Sequence, residues 1–177
     1  AGSAIKRSGA SVGDDLYVTG TLGDAAQGLS LSRKGEADGY LVSRYQFPVA
    51  RIAAGRRLRG LANSLIDISD GLVAEIGHLA ETDSLGAEIA ACQLPLSKEL
   101  VKSAGEDIAI NMALFSGDDY ELCFTADPAD SGEIKAVSDS IDVPMTRIGV
   151  VTDGGEIVIR DSKGELMDFG DAGYEHF

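Results

Sequence analysis

The stretch "LIDISDGL", residues 65–72, reads as an apolar strand running into a helix, yet it carries Asp67 and Asp70. Taking a lone carboxylate out of water is costly unless it is paired, hydrogen-bonded or bound to a metal. Alternate side chains of a strand share a face, so Asp67 and Ser69 are expected on one side, with Ile66 and Ile68 packed on the other. Asp70 then falls at the turn into the helix, beside backbone N–H groups that a helix start leaves free. Two carboxylates and a hydroxyl are thus expected at the C-terminal end of a strand, where open sheets place ligands. Hard oxygens in that pattern suit Mg²⁺, which takes one or two carboxylates together with water and phosphate oxygens. The competing reading is structural, with Ser69 or Asp70 capping the helix. Capping accounts for one of these residues and leaves Asp67 inside an apolar strand; at this point both readings stand.

Outward from this stretch, the apolar positions Leu72, Val73, Ile76, Leu79 and Ala80 recur at helical spacing and predict a helix over 71–81. Upstream, "DLYVT" predicts a strand over 15–19, and "GTLGDAAQGLSLSRKG" a helix over 24–33 ended by Gly35. A second helix is expected over 38–45, stopping near Phe47 because Pro48 disfavours helix in the residue before it. Pro48 suits the first turn of a third helix reaching Leu61. Downstream, strands are expected over 86–92, 119–125, 145–151 and 156–160, with helices near 97–113 and 129–140. Strands and helices alternate without strict order, which predicts a mixed sheet covered by helices.

The 177 residues suffice for one well-cored domain. No apolar run reaches membrane-spanning length and no secretory signal opens the chain, so a soluble globular protein without membrane association is expected. The net charge of −14 argues against a broad basic surface for nucleic acid. An anionic substrate would need local help from a cation or from backbone N–H groups. Cys92 and Cys123 lack metal-type spacing and are expected to be buried thiols. The basic residues Arg44, Arg51, Arg56, Arg57 and Arg59 read as a solvated helix face.

Two further stretches could carry chemistry. "SGDDYELCF", residues 116–124, presents Asp118 and Asp119 on a turn before a strand with Tyr120, Leu122 and Phe124 on one face. "GTLGD", residues 20–24, is a Gly-x-x-Gly turn opening a helix, a place that can admit a phosphate. Neither a Walker A pattern nor a Gly-x-Gly-x-x-Gly fingerprint is present, and no Ser/His/Asp or Cys/His arrangement is apparent. His78 is expected at the edge of the core, and His176 lies in a terminal "GYEHF" whose aromatic residues suggest docking.

Taken together, "RSGASVGDDLYVTGTLGDAAQGL", the Pro48 to Arg51 helix start, "IDISDGL", "SGDDYELCFT" and "GYEHF" occur in the order found in thiamine-monophosphate kinase. The chain resembles that family over residues 7–177, and only its carboxy-terminal domain. The shorter "SDGL" is shared with the wider superfamily of aminoimidazole ribonucleotide synthetase and selenophosphate synthetase. The resemblance implies an α+β fold: a three-layer α/β/α domain with a mixed β-sheet, like the carboxy-terminal domain of aminoimidazole ribonucleotide synthetase. It implies that residues 1–177 form one domain, lacking the amino-terminal ATP-binding domain with its acids and dimer interface. It further implies a cytoplasmic enzyme, a homodimer at full length, that transfers the γ-phosphoryl of ATP onto thiamine monophosphate to give thiamine diphosphate.

Position by position, the resemblance implies that Asp67 and Asp70 bind Mg²⁺, that Ser69 contacts ATP, and that Arg7 is the nucleotide-contacting arginine. Asp118 stands where the family usually has a Glu that contacts the thiamine moiety, one methylene longer. Tyr174 resembles the terminal aromatic that lies against the substrate, where a cationic thiazolium would stack favourably. Two other readings are another ATP-dependent synthetase of the superfamily, and a non-catalytic module that binds nucleotide or Mg²⁺.

Overall fold

The computed structural model describes residues 4–36 and 39–167. The order of elements is β1 (Asp15–Thr19), α1 (Asp24–Arg33), α2 (Gly39–Gln46), α3 (Ile52–Arg57), β2 (Ala62–Asp67), α4 (Leu72–Asp83) and β3 (Leu85–Ala90). These are followed by α5 (Lys98–Ala104), α6 (Glu106–Phe115), β4 (Leu122–Ala126), α7 (Ser131–Ile141), β5 (Met145–Asp153) and β6 (Ile157–Arg160). The strands form one six-stranded sheet in the order β2-β4-β1-β5-β3-β6. All neighbours are antiparallel except β3 and β6, so the sheet is mixed, as expected.

Strand alternation sends side chains to two separate cores. Leu16 and Val18 of β1 and Cys123 of β4 join Leu72, Ile76 and Leu79 of α4 and Ala113 and Leu114 of α6 on one face. Tyr17 and Phe124, which lie opposite each other in register, stack on the other face with ring centroids 5.2 Å apart. That second core is closed by Leu58, just beyond α3, and Ile134 of α7. Helices therefore cover both faces, and the three-layer α/β/α arrangement is the one the family resemblance implied. A third cluster, Leu31, Leu41, Leu100 and Ala109, binds α1, α2, α5 and α6 to one another.

Several boundaries differ from the sequence reading, each for a local reason. The helix expected over 97–113 is two helices, broken where Gly105 takes a φ of 84°. Pro48 starts no helix; α3 begins only at Ile52, after Arg51 has been drawn inward by an ion pair described below. Strand β4 starts at Leu122 and not at 119, because Tyr120 adopts a left-handed φ of 51° that no strand accommodates. Cys123 is buried as expected, but Cys92 is exposed. Burial first, and then the charge of Glu75, push the Cys123 thiol pKa upward, so it stays protonated and inert. His78 sits on the solvent side of α4. No helix among the described residues is long and apolar enough to cross a membrane.

Gly28 lies inside α1 where the helix meets α2, and a β-carbon there would overlap the Leu41 backbone. Gly→Ala within a helix ordinarily stabilises by about 0.5–1 kcal/mol. Here Gly28→Ala is expected to destabilise instead, by about 1–3 kcal/mol as overpacking does. A rise in urea midpoint for G28A would contradict this close approach.

Candidate functional site

Asp67 ends β2, which is an edge strand, and its side chain is exposed. Asp70 is exposed as well, and Ser69 between them is half-buried. The premise that Asp67 is trapped in an apolar strand therefore fails: the chain leaves the sheet in time to put that carboxylate in water. The capping reading fails too. Helix α4 is capped at Gly71, φ 113°, with no side-chain bond to its N-terminus. The turn is held from behind by Glu75, in the first turn of α4 and only 3% exposed. Its Oε1 accepts from Ser69 N at 3.4 Å, Asp70 N at 3.2 Å and Ser69 Oγ at 3.1 Å.

The loop before β4 lies against this turn. Asp118 N donates to Ser69 O at 2.9 Å, Tyr120 N to Ile68 O at 2.9 Å, and Ile68 N to Glu121 O at 2.8 Å. The approach is so close that a β-carbon on Gly117 would overlap the Ser69 carbonyl. Asp118, φ 68°, and Tyr120, φ 51°, are both left-handed without being glycine, a conformation that persists only where surrounding bonds impose it. The kinked backbone directs Asp118 to solvent, whereas Asp119 and Glu121 are buried at 1% and 0% exposure.

Asp119 reaches the start of α1. Its Oδ2 accepts from Gly23 N at 2.7 Å and its Oδ1 from Ala25 N at 3.3 Å. The turn "GTLGD", which the sequence offered as a phosphate seat, is thus filled by a carboxylate of the protein itself. Asp24 beside it is also fully buried, and accepts from Ser97 Oγ at 2.5 Å, Thr21 Oγ1 at 2.5 Å and Tyr40 OH at 3.1 Å. Burial raises the Asp119 pKa from its ordinary 3.8 to about 7; the Gly23 and Ala25 N–H groups and Arg44 oppose the rise, and Asp24 adds to it.

Glu121 is the inward anchor of the loop. Arg51 grips it with two bonds of 2.6 Å, Arg44 Nη2 donates at 2.9 Å, and Thr19 Oγ1 donates at 2.6 Å. Arg44 also lies 3.5 Å from Asp24. These hydrogen bonds to Glu121 hold the Arg51 pKa above its ordinary value. The expectation of a solvated arginine face is corrected accordingly: Arg56, Arg57 and Arg59 are exposed, but Arg44 and Arg51 belong to a buried ion-pair cluster. Gly20, φ 60°, completes the pocket, since a β-carbon there would collide with the Glu121 carboxylate.

Asp67, Ser69, Asp70 and Asp118 are therefore brought to one end of the β2–β4 pair. Arg7 is exposed and runs beside β2, next to Lys6, whose carbonyl accepts from Leu65 N at 2.9 Å. Tyr174 and the tail holding His176 lie outside the described residues. Among the described residues no group of three or more His, Cys, Asp or Glu converges as a metal cage. A divalent ion at Asp67 and Asp70 would thus complete its shell with water and phosphate oxygens, a donor set that Mg²⁺ accepts. Glu75 and Glu121 escaped the sequence reading. A glutamate five residues after Asp70 that could reach back to its N–H was the available signal for the first; nothing local marked the second.

The sheet order, the helices on both faces and the acidic mouth beside an edge strand define a three-layer α+β domain that holds exposed carboxylates on a braced turn. Residues 11–162 match the family described as AIR synthase related protein, C-terminal domain, and the chain belongs to it. The thiamine-monophosphate kinase of Escherichia coli K12 is 41% identical over 184 residues, covering 99% of this chain and 56% of that protein. The thiamine-monophosphate kinase of Salmonella typhimurium LT2 is 39% identical, covering all of this chain and 56% of that protein. A solved thiamine-monophosphate kinase from Stenotrophomonas maltophilia K279a superposes with a TM-score of 0.87 at 39% identity, over 94% of this chain and 55% of that one. A solved complex of AaThiL with AMPPCP and TMP gives a TM-score of 0.77 at 35% identity, over 93% of this chain and 52% of that one. The chain spans about half the length of the relatives it matches, and the resemblance carried by its motifs holds.

Glu121→Ala would leave the Arg51 guanidinium without its carboxylate and Arg44 with Asp24 alone, and is expected to cost about 3–5 kcal/mol in urea unfolding. Asp119 binds its proton more tightly folded than unfolded, so its contribution to stability is full below pH 4 and is lost as pH rises through about 7. The urea midpoint is expected to fall between about pH 4 and pH 7, the window between the unfolded and folded values, and to level off above about pH 8. Asp119→Asn keeps an acceptor for Gly23 and should flatten the curve. Parallel curves for the two proteins would show that Asp119 does not titrate there.

Proposed function

We propose that this chain supplies the carboxy-terminal half of the site of an ATP-dependent thiamine-monophosphate kinase, with the amino-terminal ATP-binding domain lying outside residues 1–177. In this reading a phosphate oxygen of thiamine monophosphate attacks the γ-phosphorus of ATP, the bond to the β,γ-bridging oxygen breaks, and ADP leaves, yielding thiamine diphosphate in the cytoplasm. The observation that carries it is the gathering of Asp67, Ser69, Asp70 and Asp118 on one braced turn-and-loop pair. Similarity over nearly the whole chain to thiamine-monophosphate kinases, and the AMPPCP and TMP held by AaThiL, support it.

Phosphoryl transfer needs in-line positioning and positive charge over phosphate oxygens, with little covalent help from the protein. Asp67 and Asp70 would hold Mg²⁺, which when bound screens the two anionic substrates from each other. Without such a cation an acidic mouth on a chain of net charge −14 would repel both. Ser69 Oγ donates its hydrogen bond to Glu75 Oε1, which leaves its lone pairs free to accept; it would accept from a ribose hydroxyl or a metal-bound water. Arg7 is exposed beside β2, where it would meet nucleotide phosphate. Asp118 would contact the thiamine moiety, and Tyr174 would stack on the thiazolium. The acceptor is already a phosphate oxygen, so no side-chain nucleophile or dedicated base is required.

Calorimetric titration with ATP in the presence of Mg²⁺ is expected to show binding that Asp67→Asn and Asp70→Asn each weaken about 10- to 100-fold, the worth of a charge-assisted contact. Affinity that is unchanged in EDTA, or in both variants, would count against the reading. By itself the chain is expected to form little or no thiamine diphosphate from ATP and thiamine monophosphate. Brisk turnover would mean that residues 1–177 carry the whole machinery.

A further inference from the structure

The turn between β2 and α4 would ordinarily attract an anion. The N–H groups of Ser69 and Asp70 project side by side just ahead of a helix whose Gly71 cap supplies no side chain. Instead both amides are taken by Glu75, whose Oε1 also receives the Ser69 hydroxyl. Glu75 is 3% exposed, and its charge bears on the thiol of Cys123 within the core. It is thus buried behind the turn, where it cannot meet a ligand, while Asp67 and Asp70 are exposed to solvent.

We propose that Glu75 is a positioning residue: by occupying the amide pair of Ser69 and Asp70 it closes that place to anions, and it holds the turn that carries Asp70, just beyond Asp67 at the end of β2, so that the two can receive a divalent cation. This rests on the reading of the turn as the cation and phosphate site. The physical basis is twofold. A carboxylate bound to two N–H groups and a hydroxyl fixes a turn that has no side-chain cap of its own. Its negative charge, in surroundings of low dielectric, also cancels the positive field of the helix start, so the mouth in front favours cations.

The test uses the full chain, with Glu75→Ala removing tether and charge, and Glu75→Gln keeping an acceptor oxygen of the same reach without the charge. Two quantities are read: amide hydrogen exchange at Ser69 and Asp70, scaled to the core amide of Phe124, and the Kd for Mn²⁺. E75A is expected to exchange both amides about tenfold faster and to bind Mn²⁺ about tenfold more weakly, the scale on which buried partners of metal ligands act. E75Q should restore most of the protection while remaining weak towards Mn²⁺. Amides as protected in E75A as in the wild type would overturn the proposal, as would deprotected amides with an unchanged Mn²⁺ Kd. Should the wild type take up no Mn²⁺ while exchange responds as expected, the cation reading of the turn falls, and with it the second half of the proposal, but the tether itself stands.

Discussion

A single carboxylate, that of Glu121, fixes the geometry on which the acidic mouth depends. Buried charge of this kind is tolerated only when its partners are complete, and here two arginines and a threonine hydroxyl saturate it. The partners come from β1, α2 and the segment leading into α3, so the anchor ties three distant parts of the chain to the start of β4. With Glu121 pinned inward, the preceding residues reverse direction within a short span. Asp119 is turned into the start of α1 and Asp118 is turned out, and the backbone between them pairs with Ile68 and Ser69.

Acids are used in three different ways within this small region. Glu121 and Asp24 are neutralised by cations and hydroxyls. Asp119 and Glu75 spend their charge on backbone N–H groups. Asp67, Asp70 and Asp118 are left to solvent. A sequence with 29 acids against 15 bases says nothing about this division. It is settled by which strand end, helix start or arginine each carboxylate meets in the folded chain.

The fold was largely legible in the sequence, because alternating apolar residues in β1 and β4 and the heptad-like stripe of α4 announce their faces directly. What local pattern could not convey were contacts made across the sheet. Arg44 and Arg51 look like surface residues until β4 delivers Glu121 to them, some seventy positions along the chain. Tyr120 looks like the first residue of a strand until the anchor forces it left-handed. The same holds for the site. Asp67, Ser69, Asp70 and Asp118 could be singled out by type and spacing, and the structure does bring them together. The reason Asp67 escapes burial, however, is that β2 stops at an edge, a fact of sheet order alone. "GTLGD" read as a vacant seat for phosphate because nothing nearby in sequence showed Asp119 arriving to fill it.

The two left-handed residues flanking Asp119 have a thermodynamic corollary for any small molecule that meets Asp118. Non-glycine residues held at positive φ have already surrendered their freedom during folding, at roughly 1 kcal/mol or more apiece. A ligand arriving at this surface would find the recognition loop rigid beforehand and would forfeit little configurational entropy in ordering it. Selectivity would then follow from shape and charge fixed in advance, in the manner of a key meeting a cut lock, with little left for adjustment on contact.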